Sequence, residues 1–222
     1  MYEFFDTAVT SDQFLLALHD TLVMIAVSLA FGSLLGIPLG VLLVICRPGG
    51  IVPAPLLWQV LNPIVNIIRS LPFIILLIAI LPLTRLLVHT TIGTAGAIVP
   101  LVIFIAPYIS RLVENALLEV DEGILESANA MGATTLQTIW YFMLPEAASS
   151  LILALTTATI GLLGATAMAG TVGGGGIGDL AITYGYQRFD AFATFSTALA
   201  LIVIVQLLQT LGTRLARRIR RE

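Results

Sequence analysis

Charge-free apolar runs constrain this chain more than any other feature. Thr21–Cys46, Leu86–Ser110, Ala147–Gly178 and Ala191–Thr213 hold 26, 25, 32 and 23 residues without one Asp, Glu, Lys or Arg. A helix needs about 20 apolar residues to cross a bilayer. A fifth apolar region, Pro48–Thr84, is interrupted only by Arg69. Pro48-Gly49-Gly50, Pro53 and Pro55 keep its first part irregular, so one helix is expected over about residues 60–83. The expected fold is an all-α polytopic membrane protein with five transmembrane helices, at about 21–46, 60–83, 87–110, 146–169 and 191–213. Charged residues make up 10% of the chain, against about 25% in soluble domains. They cannot cover a water-exposed surface of this size.

The basic residues are ten arginines and no lysine. A P-loop needs a lysine at the β/γ-phosphates, so nucleotide chemistry is expected on another chain. The single Cys46 excludes an internal disulfide. His19 and His89 have no partner at ligand spacing, so no metal site is expected. Basic residues are scattered outside the C-terminus, so no nucleic-acid footprint appears. The acidic start Met1-Tyr2-Glu3-Phe4-Phe5-Asp6 lacks the positive region of a signal peptide. The first apolar run is also too long for one and is expected to remain in the mature chain.

Five spans place the termini on opposite sides. Arg214, Arg217, Arg218, Arg220 and Arg221 put the C-terminus in the cytoplasm by the positive-inside rule. Arg47 and Arg111 join them, and Arg85 and Arg188 fall outside. The expected topology is N-out, C-in. It gives a periplasmic N-terminal segment 1–19, a transmembrane domain 20–215 and a basic cytoplasmic tail 216–222.

Residues 111–145 then form the sizeable cytoplasmic loop, rich in acidic side chains from Glu114 to Glu126. Ile124, Ala128 and Met131, then Leu136, Ile139, Trp140 and Met143, recur at helical spacing. Gly132 separates the two sets, and Thr134 with Gln137 makes a capping box. The spacing predicts a helix, a glycine turn and a second helix ending at Leu144-Pro145.

Glu126-Ser127-Ala128-x-x-x-Gly132, nine residues, then Phe142-x-Leu144-Pro145 resembles the EAA motif of ABC-importer permeases. Ser127 and Phe142 depart from that motif, which has Ala and Ile there. In that family the loop is a coupling helix seated on the ATPase subunit, which assigns coupling roles to Glu126, Ala128, Gly132, Leu144 and Pro145. Asn66-Ile67-Ile68-Arg69-Ser70-Leu71-Pro72-Phe73, Glu114-Asn115-Ala116-Leu117-Leu118-Glu119 and the run from Ala167 to Gly178 are similar to the permease subunits of bacterial methionine importers. The resemblance covers about residues 20–215. It implies a type I ABC importer permease fold in the inner membrane, importing methionine and also D-methionine by alternating access. Its implied assembly is a homodimer with two ATPase subunits, which carry ATP and its Mg, and a periplasmic methionine-binding protein or lipoprotein. The chain itself would be no enzyme and would bind no cofactor.

Other features read from the residues themselves. Gly32, Gly36 and Gly40 share one helical face and allow close helix approach. Arg69, an intramembrane charge, is a functional candidate by default, with snorkelling to the interface as its plain alternative. Gly170–Gly178 holds six glycines in nine residues and reads as a tightly packed or moving outer loop rather than a phosphate cradle. Met168 beside it suits a gate or simple packing. Tyr184, Tyr186 and Arg188 suit either a solvated loop or a binding-protein contact. Gly176-x-Gly178-Asp179 matches an intramembrane aspartyl protease, but no second intramembrane acid accompanies it. A self-contained carrier or channel driven by an ion gradient, the rival reading, needs titratable groups in mid-span, where only Arg69 offers itself.

Overall fold

The computed structural model describes residues 7–220; the acidic start Met1–Asp6 and Arg221 lie outside the described residues. Helices account for nearly all of it, and no strand occurs among the described residues. In order they are α1 (Ser11–Cys46), α2 (Pro55–Ser70), α3 (Phe73–Val88), α4 (Gly93–Leu118), α5 (Glu122–Ala130), α6 (Thr135–Gln137), α7 (Leu144–Glu146), α8 (Ala148–Ala169), α9 (Gly176–Leu180) and α10 (Ala191–Ile219). Two π-helical turns, Thr138–Met143 and Ala181–Tyr186, join α6 to α7 and follow α9. Four helices are long and apolar enough to cross a membrane, and the α2–α3 pair supplies a fifth span if counted as one.

Several boundaries correct the expectation from hydropathy. The single helix expected over 60–83 is two, broken at Leu71-Pro72. Pro72 has no N–H to donate and stands in extended geometry (φ −55°, ψ 136°) as the N-cap of α3. It also disfavours helical geometry at Leu71. The first span begins at Ser11 rather than residue 21, so most of the supposed N-terminal segment 1–19 that is described is helical. The third begins at Gly93 rather than 87, because α3 runs to Val88 and closes on His89, held at φ 59°. It also continues to Leu118, taking the first two turns of the supposed 111–145 loop. The last helix continues to Ile219, into the basic tail expected at 216–222. In each extension a charge marks where the chain leaves lipid without ending its hydrogen-bonded helix.

The chain divides into two compact units: one of the described residues up to Gly32 with Leu71–Ile105 and Thr159–Leu208, the other of Ser33–Ser70, Ala106–Ala158 and the residues from Gln209. The long helices α1, α4, α8 and α10 each contribute a segment to both.

In the first unit the glycine-rich run is packed backbone on backbone. A Cβ on Gly170 would collide with Gly178 and Asp179, and one on Gly178 with Ala167. The Ile177 N–H donates to Thr21 Oγ1 at 2.8 Å, and the Gly93 N–H donates to the Gly173 carbonyl at 2.8 Å. Ile177 and Leu180 close over Ala17, with Phe14, Leu18 and Tyr184 around them. Asp190 caps α10 by accepting from the Ala193 N–H at 2.8 Å. The same carboxylate accepts from Thr7 Oγ1 (2.8 Å) and the Ala8 N–H (3.0 Å), tying the start of the described chain to α10.

In the second unit Gly36 and Gly40 lie against α4. Added β-carbons would fall 2.5 Å from the carbonyl oxygens of Ala106 and Ser110. Gly32, where the first unit's part of α1 ends, is also buried. Lipid is as apolar as leucine, so such close backbone approach, with its dispersion contacts, replaces the hydrophobic drive of a soluble core. Seven described arginines fall in this unit (Arg47, Arg69, Arg111, Arg214, Arg217, Arg218, Arg220) and two in the other (Arg85, Arg188).

Candidate functional site

The helical hairpin Asp121–Glu146 lies within the second unit. Asp121 caps α5 by accepting from the Gly123 N–H at 2.8 Å. At its other end the Ala133 N–H donates to the Ala128 carbonyl, and the Gly132 N–H to that of Asn129, both at 3.0 Å. These two bonds form a Schellman closure, which needs a left-handed residue between them. Gly132 supplies it at φ +71°. A β-carbon built there would have nothing within 4 Å. Glycine is needed there for its backbone geometry, not for space.

Two residues later the chain starts again. The Thr134 N–H donates to Gln137 Oε1 at 2.8 Å, and Thr134 Oγ1 accepts from the Gln137 N–H at 3.4 Å, completing the capping box. The helix then widens into a π-helical turn, in which the Leu144 N–H donates to the Ile139 carbonyl. Pro145 follows at once. A proline ring clashes with the carbonyl four residues back and leaves one bond unmade, and a π turn accommodates both effects. Sequence reasoning missed this widening, although Pro145 was the signal for it.

Packing sorts the hairpin into two faces. Ala128, Ile139 and Met143 are buried, and α5 packs on the π-helical turn. Met131, Leu136, Trp140 and Tyr141 are each 65–74% exposed. Glu126, Gly132 and Pro145 are also exposed, and Leu144 is half-buried. Four large apolar side chains therefore lie outward on a segment with carboxylates at Asp121, Glu122, Glu126 and Glu146. This composition suits a protein partner better than lipid, since carboxylates cannot follow the apolar groups into hydrocarbon.

Other candidates separate. Met168, in the last turn of α8, is 52% exposed, while its neighbour Ala169 is fully buried. Tyr184 belongs in part to the Ala17–Ile177–Leu180 cluster, and Arg188 stacks on it at 4.5 Å. Tyr186 stands free of that packing, with Phe189 close in sequence. Phe189 holds φ +58°, a conformation uncommon for a bulky residue, and hydropathy gave no sign of it. Asp190, near them, has its carboxyl lowered below the usual value, chiefly by the bond from the Ala193 N–H.

A polar cluster on α2 and α4 was also missed. Arg111 pairs with Glu114 at 2.5 Å and donates to Asn62 Oδ1 (2.6 Å) and Asn66 Oδ1 (2.7 Å). Arg111 and Glu114 are three residues apart, a spacing that announces such a pair. Nothing local announces the asparagines. Arg69, in the last turn of α2, has its guanidinium over the Tyr108 ring, 5.9 Å from the centroid.

Residues 36–221 match the family described as binding-protein-dependent transport system inner membrane component. The chain is 49% identical over 183 residues to the probable D-methionine transport system permease protein MetI of Vibrio cholerae serotype O1, covering 82% of this chain and 81% of that one. It is 49% identical over 151 residues to the D-methionine transport system permease protein MetI of Escherichia coli K12, covering 68% and 70%. A chain of the MetNI methionine ABC transporter, in an inward-facing conformation, superposes with a TM-score of 0.93 at 42% identity, covering 96% of this chain and all of that one. By its apolar helices, its capped hairpin and its likeness to these relatives, this chain belongs to the family of binding-protein-dependent transport system inner membrane components.

Proposed function

We propose that this chain is the membrane-spanning permease subunit of an ATP-driven importer for methionine, accepting D-methionine as well. The hairpin between α4 and α8 carries this reading. Caps fix the start of each of its two helices, and its exposed apolar face offers a surface through which a separate ATPase can deliver work. A chain without lysine has no P-loop of its own. Two copies are expected to pair about a two-fold axis, with two ATPase subunits on the hairpins and a binding protein at the opposite face. The arginines of the C-terminal helix, with Arg47 and Arg111, then lie toward the cytoplasm, as the positive-inside rule requires. ATP hydrolysis belongs to the partner, and this chain catalyses no reaction.

Alternating access follows from differential contact. The hairpin shifts the permease between states only as far as the ATPase binds one state better than the other. Both states keep their backbone groups bonded within helices, since lipid offers no partners. Glu126, Ala128, Gly132, Leu144 and Pro145 shape the coupling hairpin under this reading. Met168 is proposed as a gate residue, and Tyr186 with Arg188 and Tyr184 as the contact for the binding protein.

The test is reconstitution in proteoliposomes with the ATPase and binding-protein subunits. ATP-dependent accumulation of labelled L-methionine, competed by D-methionine, is expected. A solubilised chain that purifies without an ATPase and gains no ATP-dependent uptake when one is supplied overturns the proposal.

A further inference from the structure

Helix α2 carries a polar stripe. Asn62, Asn66 and Arg69 recur at intervals of four and three and so share one face, while Leu56, Val60, Ile64 and Ile67 lie exposed on the other. The charges along this stripe do not balance. Arg111 is compensated by Glu114 and spends one guanidinium nitrogen on the carbonyl oxygens of Asn62 and Asn66. Arg69 has no carboxylate within ion-pair distance among the described residues. Its observed contact is the Tyr108 ring on α4. Of the two guanidinium groups only Arg111 has a carboxylate partner, and the exposed Arg69 cation is held against protein rather than extended away from it.

Asn66 adds a second donor. Its Oδ1 is turned to Arg111, which leaves its amide N–H2 without a partner among the described residues. A planar guanidinium fork beside a free amide donor, one helical turn apart, suits a carboxylate. An amino acid crossing an apolar protein brings such a group, and an ionised carboxylate is costly to move out of water without a partner.

We infer that Arg69, assisted by Asn66, binds the carboxylate of the transported amino acid during its passage, with Tyr108 positioning the guanidinium. This inference rests on the importer reading for its substrate class and adds where the permease touches that substrate.

The test uses the complete importer in nanodiscs of zwitterionic lipid, treated with the arginine reagent 2,3-butanedione and read by mass spectrometry at the Arg69 peptide. L-Methionine is expected to slow modification of Arg69 at least threefold. L-Methioninamide, which lacks the carboxylate, and inorganic phosphate are expected to leave it unchanged. In proteoliposomes, Arg69→Gln is expected to lower methionine uptake at least tenfold in a complex that still assembles, with Arg69→Lys intermediate because it keeps the charge and loses the fork. Equal protection by the amide overturns the inference. So does protection by anionic lipid alone, which identifies a headgroup phosphate as the partner, or wild-type uptake by Arg69→Gln. Wild-type uptake with Arg69 unprotected sinks this inference alone; absence of methionine uptake by the wild-type importer sinks it together with the importer reading.

Discussion

Replacing Gly132 by alanine separates two explanations of the hairpin turn. Gly132 holds φ +71°, and a β-carbon there meets nothing within 4 Å. Steric crowding by neighbours therefore contributes nothing, and the cost is that of placing an L-residue in left-handed geometry, about 1–2 kcal/mol. Asparagine tolerates that geometry better, so Gly132→Asn is expected to cost well under half as much. A penalty of about 1–2 kcal/mol is a factor of roughly 5–30 in an equilibrium. It falls on the two bonds the turn closes, Gly132 N–H to Asn129 and Ala133 N–H to Ala128. Hydrogen exchange on the importer in nanodiscs reads it directly. In Gly132→Ala the amides of residues 132 and 133 are expected to exchange about 5–30 times faster, with the capping-box amide of Gln137 little changed. ATP-driven uptake is expected to fall in the order wild type, Asn, Ala. If alanine exchanges like wild type, or asparagine is as damaging as alanine, the backbone argument is wrong.

Two further predictions concern packing and charge. Gly40→Ala puts a β-carbon 2.5 Å from the Ser110 carbonyl and 2.8 Å from Val113 Cβ, so overpacking is expected to cost about 1–3 kcal/mol. Gly164→Ala, with open space at its β-carbon, is the control, and equal thermal midpoints in detergent for the two variants would refute close approach of α1 to α4. At Asp190 the carboxyl is lowered from 3.8, first by the Ala193 N–H and also by Thr7 and Ala8. A lowered carboxylate contributes stability that is present above its unfolded value and lost as pH falls through the folded one. Slow exchange of the Ala8 and Ala193 amides at neutral pH is expected to persist into the ordinary carboxylate range and disappear only at pH below it, and to be missing at all pH values in Asp190→Asn. Exchange in wild type that shows no such acid transition would contradict the assignment.

Hairpin and helices were legible to different degrees, for a physical reason. Gly132, Thr134 and Gln137 act on backbone groups three to five residues away, so residue types in order suffice to place the turn and the start of the second helix. The apolar runs likewise counted the spans, because lipid exposure is a property of each stretch by itself. Helix ends were another matter. Hydropathy marks where a chain meets lipid, and a helix ends where hydrogen bonding stops; α4 and α10 continue past Arg111 and Arg214 because a charge does not interrupt the backbone ladder.

Packing of distant residues made the remaining decisions. Arg111 finds Asn62 and Asn66, 49 and 45 positions away, and Thr21 meets Ile177 across 156. No periodicity encodes such pairs. The amino-acid order alone therefore determined a lysine-free membrane chain with a capped hairpin. Tertiary structure alone decided which polar groups neutralise one another, and hence that Arg69, which the sequence marked only as a charge in an apolar region, is the one left uncompensated on the α2 stripe. Local rules fix the charge a residue carries, but its compensation depends on what the fold brings within reach.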